Sequence, residues 1–138
     1  ALQLPSADLS QRARALNGLA SFCLELGDFA ANLAYHEEGL ALRRQLGDRL
    51  GISTALHNLG LTAVTMGEFD LARARLMESI DVYPEGDHAS ELAHLGLIAQ
   101  ETLDLPAARH YLQQAYDQTR QTGDSWLNAF VGNYLADV

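Results

Sequence analysis

The sequence has no lysine and only one cysteine, one tryptophan and three prolines. A single cysteine excludes an internal disulfide, so Cys23 cannot cross-link the fold. The longest apolar runs contain only a few residues, whereas a helix needs roughly 20 to cross a bilayer, and no basic-then-apolar leader opens the sequence. We therefore expect no membrane association and a cytoplasmic location. Because the first residue is Ala1 rather than methionine, we also expect a fragment of a longer protein.

Positive charge is scarce. Nine basic side chains, all of them arginine, stand against 18 acidic ones, and the net charge is −9. Nucleic-acid binding draws on clustered positive charge that releases counterions from phosphates, and these arginines are scattered along the chain. The composition thus predicts no direct binding of DNA or RNA.

Two nearly identical segments, Gly27-Asp28-Phe29 and Gly67-Glu68-Phe69, lie 40 residues apart. A period of this size indicates stacked helical hairpins, each of which buries its apolar face against a neighbour. Glycine can end a helix in the left-handed conformation and the acidic residue after it can cap the next helix, so each pair marks a joint. The predicted helices run from about Asp8, as an N-cap with Gln11, to Leu26, then Phe29 to Leu46, Asp48 to Met66, Phe69 to Val82, His88 to Leu103, Asp104 to Thr122, and from Asp124 onward.

The second unit resembles the tetratricopeptide repeat over its whole length. The residues that carry this resemblance are Leu56, Leu59-Gly60, Ala63, Gly67, Phe69, Ala72, Leu76, Ser79 and Pro84. The first unit departs from the pattern at Asn32 and His36, and the third has Leu103 in place of the turn glycine. The resemblance implies an all-α, right-handed superhelical array of antiparallel helical hairpins with about three and a half repeats. A single domain over 1–138 would comprise units of about 8–46, 47–85 and 86–122 and a truncated helix at 123–138.

The units are longer than the usual repeat of about 34 residues. The segment 43–52, together with 12–20 and 55–60, resembles the repeat arrays of large bacterial ATP-dependent transcriptional regulators of the LuxR type. That resemblance implies an interaction or sensing role inside a larger regulator. Two hypotheses follow: a scaffold that binds a protein or peptide, and a sensor for a small ligand.

In tetratricopeptide arrays the first helix of each hairpin lines a concave groove, and the resemblance implies which residues would do so here. Glu25 and Glu101 favour a neutral to basic peptide segment as the partner. A clamp for a C-terminal carboxylate fits poorly, because only Asn58 occupies a matching position. The alternative is that these residues are solvated helix surface. The candidate groove residues are Arg14, Asn17, Ser21, Leu24, Glu25, Thr54, His57, Asn58, Leu61, Thr65, Ser90, Ala93, His94, Leu97, Gln100 and Glu101.

The sequence gives little indication of a catalytic or metal-binding site. His57 and His94 could face each other on adjacent first helices, but no third histidine or cysteine shares that face, so we expect no metal site. His36-Glu37 begins like a zinc-protease motif, yet Leu40 stands where the second histidine belongs. Cys23 occupies a packing position, and we expect it to be buried and inert. We predict no catalytic residues, no cofactor and no enzymatic activity.

The final helix carries an apolar set with no following helix to cover it. We expect this helix to fold back as a cap or to associate with a second copy, unless a longer protein continues with further repeats. The residues proposed for self-association are Trp126, Leu127, Phe130, Val131, Tyr134 and Leu135.

Overall fold

The computed structural model describes residues 5–138, which contain seven α-helices and no strand. This confirms the all-α class. None of the helices in that range is long and apolar enough to span a bilayer. The helices are α1 (Ser6–Glu25), α2 (Phe29–Leu46), α3 (Arg49–Thr65), α4 (Phe69–Val82), α5 (Ala89–Glu101), α6 (Leu105–Thr122) and α7 (Ser125–Ala136).

The predicted Gly-acid joints are confirmed by backbone geometry, but the predicted cap at Glu68 is wrong, because its side chain makes no capping hydrogen bond to α4. Four glycines have φ between 66° and 79°, the left-handed region that a residue without Cβ enters at little cost. The aspartates at four helix starts each accept a hydrogen bond from the backbone N–H three residues later, which satisfies one free donor of the new helix. The glycines are Gly27, Gly47, Gly67 and Gly123, and the aspartates are Asp28, Asp48, Asp104 and Asp124.

The third hairpin keeps the same joint without glycine. Leu103 has φ 61°, and its N–H donates to the Gln100 carbonyl at 3.0 Å, as the Gly67 N–H donates to the Val64 carbonyl at 3.0 Å. The joint is therefore degenerate in sequence but not in shape. A leucine in the left-handed region is strained, because its Cβ crowds the neighbouring carbonyl oxygen.

The predicted start of the first helix is wrong. Asp8 is not an N-cap paired with Gln11, because α1 already begins at Ser6 after Pro5. The Asp8 N–H donates to the Pro5 carbonyl at 3.0 Å, which places Asp8 in the first turn. Its carboxylate stays favourable there, since negative charge near a helix N-terminus opposes the helix dipole. The fifth helix also ends two residues before the predicted Leu103, at Glu101.

The chain divides into two compact units, 1–83 and 84–138. In unit 1, α1 pairs with α2, α3 pairs with α4, and α2 packs on α3 around a core of Leu40, Ala55, Leu56 and Leu59. Helices α3 and α4 approach closely at Gly60, where an added Cβ would lie 2.6 Å from the Leu76 Cγ.

The α3–α4 contact in unit 1 also contains a pair of buried serines. The Ser53 hydroxyl donates to the Ser79 carbonyl at 3.0 Å, and the Ser79 hydroxyl donates to the Ser53 carbonyl at 2.8 Å. Small side chains that bond to the opposite backbone let two helices pack at short range without an unpaired polar group.

In unit 2, α5 pairs with α6, and α7 packs on α6 and touches α5. Gly96 repeats the role of Gly60, because an added Cβ would lie 2.6 Å from the Leu112 Cγ. Val131 is fully buried, and the Asn128 amide donates to the Thr119 hydroxyl at 2.8 Å. Helix α7 thus lies where the first helix of a further hairpin would lie in this unit.

Candidate functional site

Two first helices of unit 1, α1 and α3, present the predicted groove residues to solvent. All ten are exposed or half-buried, and none belongs to the core. We call this set the unit 1 face. Its members are Arg14, Asn17, Ser21, Leu24 and Glu25 on α1, and Thr54, His57, Asn58, Leu61 and Thr65 on α3.

A buried asparagine on α2 sets the spacing of the two helices that carry the unit 1 face. The Asn32 amide nitrogen donates to the Ala20 carbonyl of α1 at 2.7 Å. Its amide oxygen accepts from the Thr62 hydroxyl of α3, also at 2.7 Å. Because Asn32 is fully buried, both bonds form away from water, where leaving either group unpaired would be costly. One side chain therefore connects α1 to α3 directly beneath the face.

The hydroxyl groups of the unit 1 face are already committed as donors. Ser21, Thr54 and Thr65 each donate to the carbonyl four residues earlier in their own helix, at 2.9 to 3.1 Å. A hydroxyl has one proton, so toward a ligand these groups can only accept. The polar surface that they form is matched by a ligand that brings N–H or O–H donors.

Four other polar side chains on the unit 1 face supply both hydrogen-bond donors and acceptors. Asn17 and Asn58 are half-buried, while Arg14 and Glu25 are exposed. Within residues 5–138 the side chains of these four make no hydrogen bond or ion pair. An amide carries both donors and acceptors, so Asn17 and Asn58 can pair with the backbone of an extended peptide.

In unit 2, the predicted groove residues lie on α5. Ser90, His94, Leu97 and Gln100 are half-buried and Glu101 is exposed, whereas Ala93 is buried and cannot contribute a side chain to the surface. The His94 Nδ1 lies 2.7 Å from the Ser90 carbonyl oxygen. A carbonyl only accepts, so Nδ1 carries the proton and Nε2 is the acceptor of the neutral ring.

The apolar residues of α7 form two faces rather than one. Val131 is buried, and Leu127 and Leu135 are half-buried. On the adjoining stripe of the helix, Trp126 and Phe130 stack with ring centroids 5.5 Å apart, and the ring centroids of Phe130 and Tyr134, both half-buried, lie 4.9 Å apart. We call Trp126, Phe130 and Tyr134 the aromatic ladder; Trp126 at its end is 74% exposed.

The repeat register relates the aromatic ladder to the predicted groove. Phe130 and Tyr134 follow Ser90 and His94 of α5 by 40 residues, the same interval that separates the two Gly-acid-Phe joints. Phe130 and Tyr134 therefore occupy groove positions of their helix, and Leu135 occupies the packing position of Leu95, whereas Trp126 corresponds to Gly86, which precedes α5. The sequence contained this signal in its spacing, but grouping all six apolar residues as one face concealed it.

Neither candidate for redox or acid–base chemistry has a catalytic setting. Cys23 is half-buried rather than buried as predicted, because α1 is exposed on that side, where Phe22 is also exposed. His36 is buried on α2, and burial, with a smaller contribution from the Arg43 charge, lowers its pKa. No group of three potential metal ligands occurs among the described residues.

The chain matches the family model for the tetratricopeptide repeat over residues 11–85, more than half of its length. It is also similar to human G-protein-signaling modulator 1, with 35% identity over 72 residues. That match covers 52% of the chain but only 11% of the human protein, so the chain spans about a tenth of that relative. Repeats of this kind present extended surfaces that bind proteins. The matched residues include the joints at Gly27, Gly47 and Gly67 and the packing glycine Gly60, and the chain belongs to the tetratricopeptide repeat family.

Proposed function

We propose that the chain is a scaffold that binds a protein or peptide segment through the first helices of its hairpins. The observation that carries this proposal is the unit 1 face, where half-buried amides with no partner among the described residues lie beside hydroxyls that can only accept. Asn32 supports it from below, because a buried hydrogen-bonded bridge holds α1 and α3 in one arrangement. Preorganisation of this kind lowers the entropy that binding must overcome.

The proposed partner is a neutral to basic segment in an extended conformation. Acceptor-rich hydroxyls and the Glu25 carboxylate match backbone N–H groups and basic side chains, and the net charge of −9 attracts such segments from a distance. Side-chain contacts along two helices suit a segment that lies across both of them.

We propose further that this scaffold is the interaction segment of a larger bacterial transcriptional regulator in the cytoplasm. The support is the resemblance of segments 12–20, 43–52 and 55–60 to the repeat arrays of LuxR-type regulators. The sequence of the flanking regions tests this context. A nucleotide-switching module and a DNA-binding module beside this segment would support it, and an unrelated catalytic domain would contradict it.

A peptide-display selection against the full chain tests the binding function. We expect selected peptides to bind the wild type and to lose about 30-fold in affinity when Asn17 and Asn58 are both changed to alanine, because each lost hydrogen bond is worth about 1 kcal/mol. Gln45→Ala removes an exposed amide from α2, away from the face, and serves as the matched control.

The outcomes of this selection separate the remaining hypotheses. Equal binding by the Asn17→Ala/Asn58→Ala variant and the Gln45→Ala control would show that the unit 1 face is not used. No enriched peptide, together with a small-molecule hit in a thermal-shift screen, would replace the scaffold by the ligand-sensor hypothesis. Self-association through α7 is a separate proposal, and sedimentation equilibrium over a concentration series tests it.

A further inference from the structure

We propose that the aromatic ladder of unit 2 binds an arginine-bearing peptide segment by stacking the guanidinium on its rings. This inference rests on the proposed scaffold function and adds to it a second site with its own chemistry. Trp126, Phe130 and Tyr134 provide the stacking surface on α7, and Asp137 follows them one turn later along the same stripe.

The shape of the ladder suits a planar cation. Trp126 and Phe130 are nearly parallel, with an interplanar angle of 10°, and Tyr134 is tilted by 57° against Phe130. The exposed Trp126 ring therefore offers a flat aromatic surface to a ligand. Indole is the side chain whose face attracts cations most strongly, and guanidinium is the cation that stacks best on aromatic faces.

Charge identifies the partner as basic. Unit 2 contains eight acidic and two basic side chains in residues 84–138. Both arginines have contacts of their own within the unit: Arg109 donates to the Val138 carbonyl, and Arg120 lies over the Tyr116 ring, 6.0 Å from its centroid. The acidic residues are Glu85, Asp87, Glu91, Glu101, Asp104, Asp117, Asp124 and Asp137. An incoming cation is thus drawn toward this unit and meets no described basic side chain on the ladder's own helix.

The protein already uses the proposed contact inside each unit. In unit 1 the Arg49 guanidinium lies 5.4 Å from the Tyr83 ring centroid, and in unit 2 Arg120 lies over Tyr116. In both cases the arginine and the ring belong to the same unit. The aromatic ladder differs from these two rings, because Trp126 is exposed and α7 carries no arginine that could lie over it.

The test compares a Gly-Arg-Ser repeat peptide with the same peptide in which citrulline replaces arginine, since citrulline keeps the shape and removes the charge. Trp126 is the only tryptophan, so its emission reports directly on the ladder. We expect the arginine peptide to quench that emission and to bind at least about tenfold more tightly than the citrulline peptide. Fluorescence anisotropy of labelled peptide then measures variants that lack the reporter.

The variant Phe130→Leu/Tyr134→Leu removes the rings but keeps apolar, helix-forming side chains. We expect it to bind the arginine peptide about fivefold more weakly, as loss of an exposed cation–π contact implies. Phe22→Leu removes an exposed aromatic from α1 in unit 1 and is the matched control, expected to bind like the wild type. Circular dichroism shows whether each variant retains its helices.

Three results would overturn the inference. The first is equal binding of the arginine and citrulline peptides, and the second is unchanged binding by the Phe130→Leu/Tyr134→Leu variant, which would leave only general attraction to an acidic protein. The third is a concentration-dependent change in Trp126 emission without peptide, which would assign the ladder to a second copy of the chain. Failure of the scaffold function is distinguishable, because it appears in the Asn17→Ala/Asn58→Ala variant of unit 1.

Discussion

Unit 1 and unit 2 use polar and charged side chains in opposite ways. Unit 1 has ten acidic and seven basic side chains, and some of its arginines pair with glutamates of other helices, as Arg12 does with Glu38 at 2.8 Å and Arg75 with Glu37 at 2.6 Å. Unit 2 has eight acidic and two basic side chains, so most of its acidic groups have no arginine to pair with inside the unit. Unit 1 therefore carries a net charge of −3, and the shorter unit 2 carries one of −6.

The polar groups buried inside the two units differ as well. Unit 1 closes its helix contacts with the buried Asn32 bridge and the Ser53–Ser79 pair. Unit 2 buries two ionisable groups, His88 and Glu91, whose Nδ1 and Oε1 lie 3.5 Å apart, and it carries the aromatic ladder on its last helix. We infer that unit 1 holds its helices with uncharged hydrogen bonds, and that unit 2 offers the surface with the stronger electrostatic and aromatic character.

The strongest test of this comparison is Asn32→Ala. The change leaves the Ala20 carbonyl and the Thr62 hydroxyl without their partner in a buried site and opens a cavity, so we expect a loss of about 2–4 kcal/mol in the free energy of unfolding. Urea denaturation followed by circular dichroism measures it. The same variant should weaken peptide binding to the unit 1 face, because the spacing of α1 and α3 is no longer held.

Asn128→Ala in unit 2 is the matched variant for Asn32→Ala. Asn128 is only half-buried and donates to the Thr119 hydroxyl at 2.8 Å and more weakly to the Tyr116 carbonyl at 3.4 Å. We expect a loss of about 1 kcal/mol, because the Thr119 hydroxyl, although buried, keeps its own hydrogen bond to the Tyr116 carbonyl when Asn128 is removed. Equal losses for the two variants would remove the distinction between the interiors of the units.

The sequence predicted the elements of the fold better than the role of individual side chains. Five of the helix joints follow from a local rule, a left-handed residue followed by an acidic residue, and four of them show glycine where that rule requires it. Asn32 stood out only as a departure from the family pattern. Its function depends on Ala20 and Thr62, which lie 12 and 30 residues away, and local periodicity carries no information on such contacts.

The candidate site shows the same division. The repeat register assigned ten residues of α1 and α3 to the groove, and these are exposed or half-buried, but Ala93 is buried although the same alignment assigned it to the groove. The aromatic ladder was present in the sequence as a 40-residue interval from Ser90 and His94. Val131, buried on the adjoining stripe of α7, distinguishes the packing residues of this helix from the exposed Trp126.

A smaller effect is expected at the third joint, in unit 2. Leu103 adopts φ 61° and is 83% exposed, so its side chain gains almost no packing in return for the strain. Leu103→Gly should raise the free energy of unfolding by about 1 kcal/mol, because relief of a left-handed leucine outweighs the flexibility that glycine adds to the unfolded chain.

Gly67→Leu makes the reciprocal change in unit 1 and should lower the free energy of unfolding by about 1–2 kcal/mol. The joints at Leu103 and Gly67 form equivalent backbone hydrogen bonds, so the two variants compare leucine with glycine at the same backbone geometry. A destabilised Leu103→Gly variant would mean that Leu103 makes a stabilising contact that its exposure does not suggest.

The smallest expected effect is a change in the pH dependence of unit 1 through His36. Burial, reinforced by the Arg43 charge, lowers the His36 pKa below the ordinary value of 6.5, so the unfolded chain takes up a proton at this residue more readily than the folded one. Stability is then fully present above pH 6.5 and falls as the pH drops from there toward the folded-state pKa.

Replacing His36 by leucine should remove that part of the slope, and His36→Gln should remove it too while keeping a polar group, which separates titration from polarity. Urea midpoints for the wild type and both variants between pH 5 and pH 7.5 provide the measurement. Because the Nδ1 of His36 is buried and has no hydrogen-bond partner among the described residues, the leucine variant should also be the more stable of the two at pH 7.5. A slope that persists in both variants would place the acid sensitivity outside His36. In that case the pH dependence of stability could not be attributed to the buried histidine of unit 1.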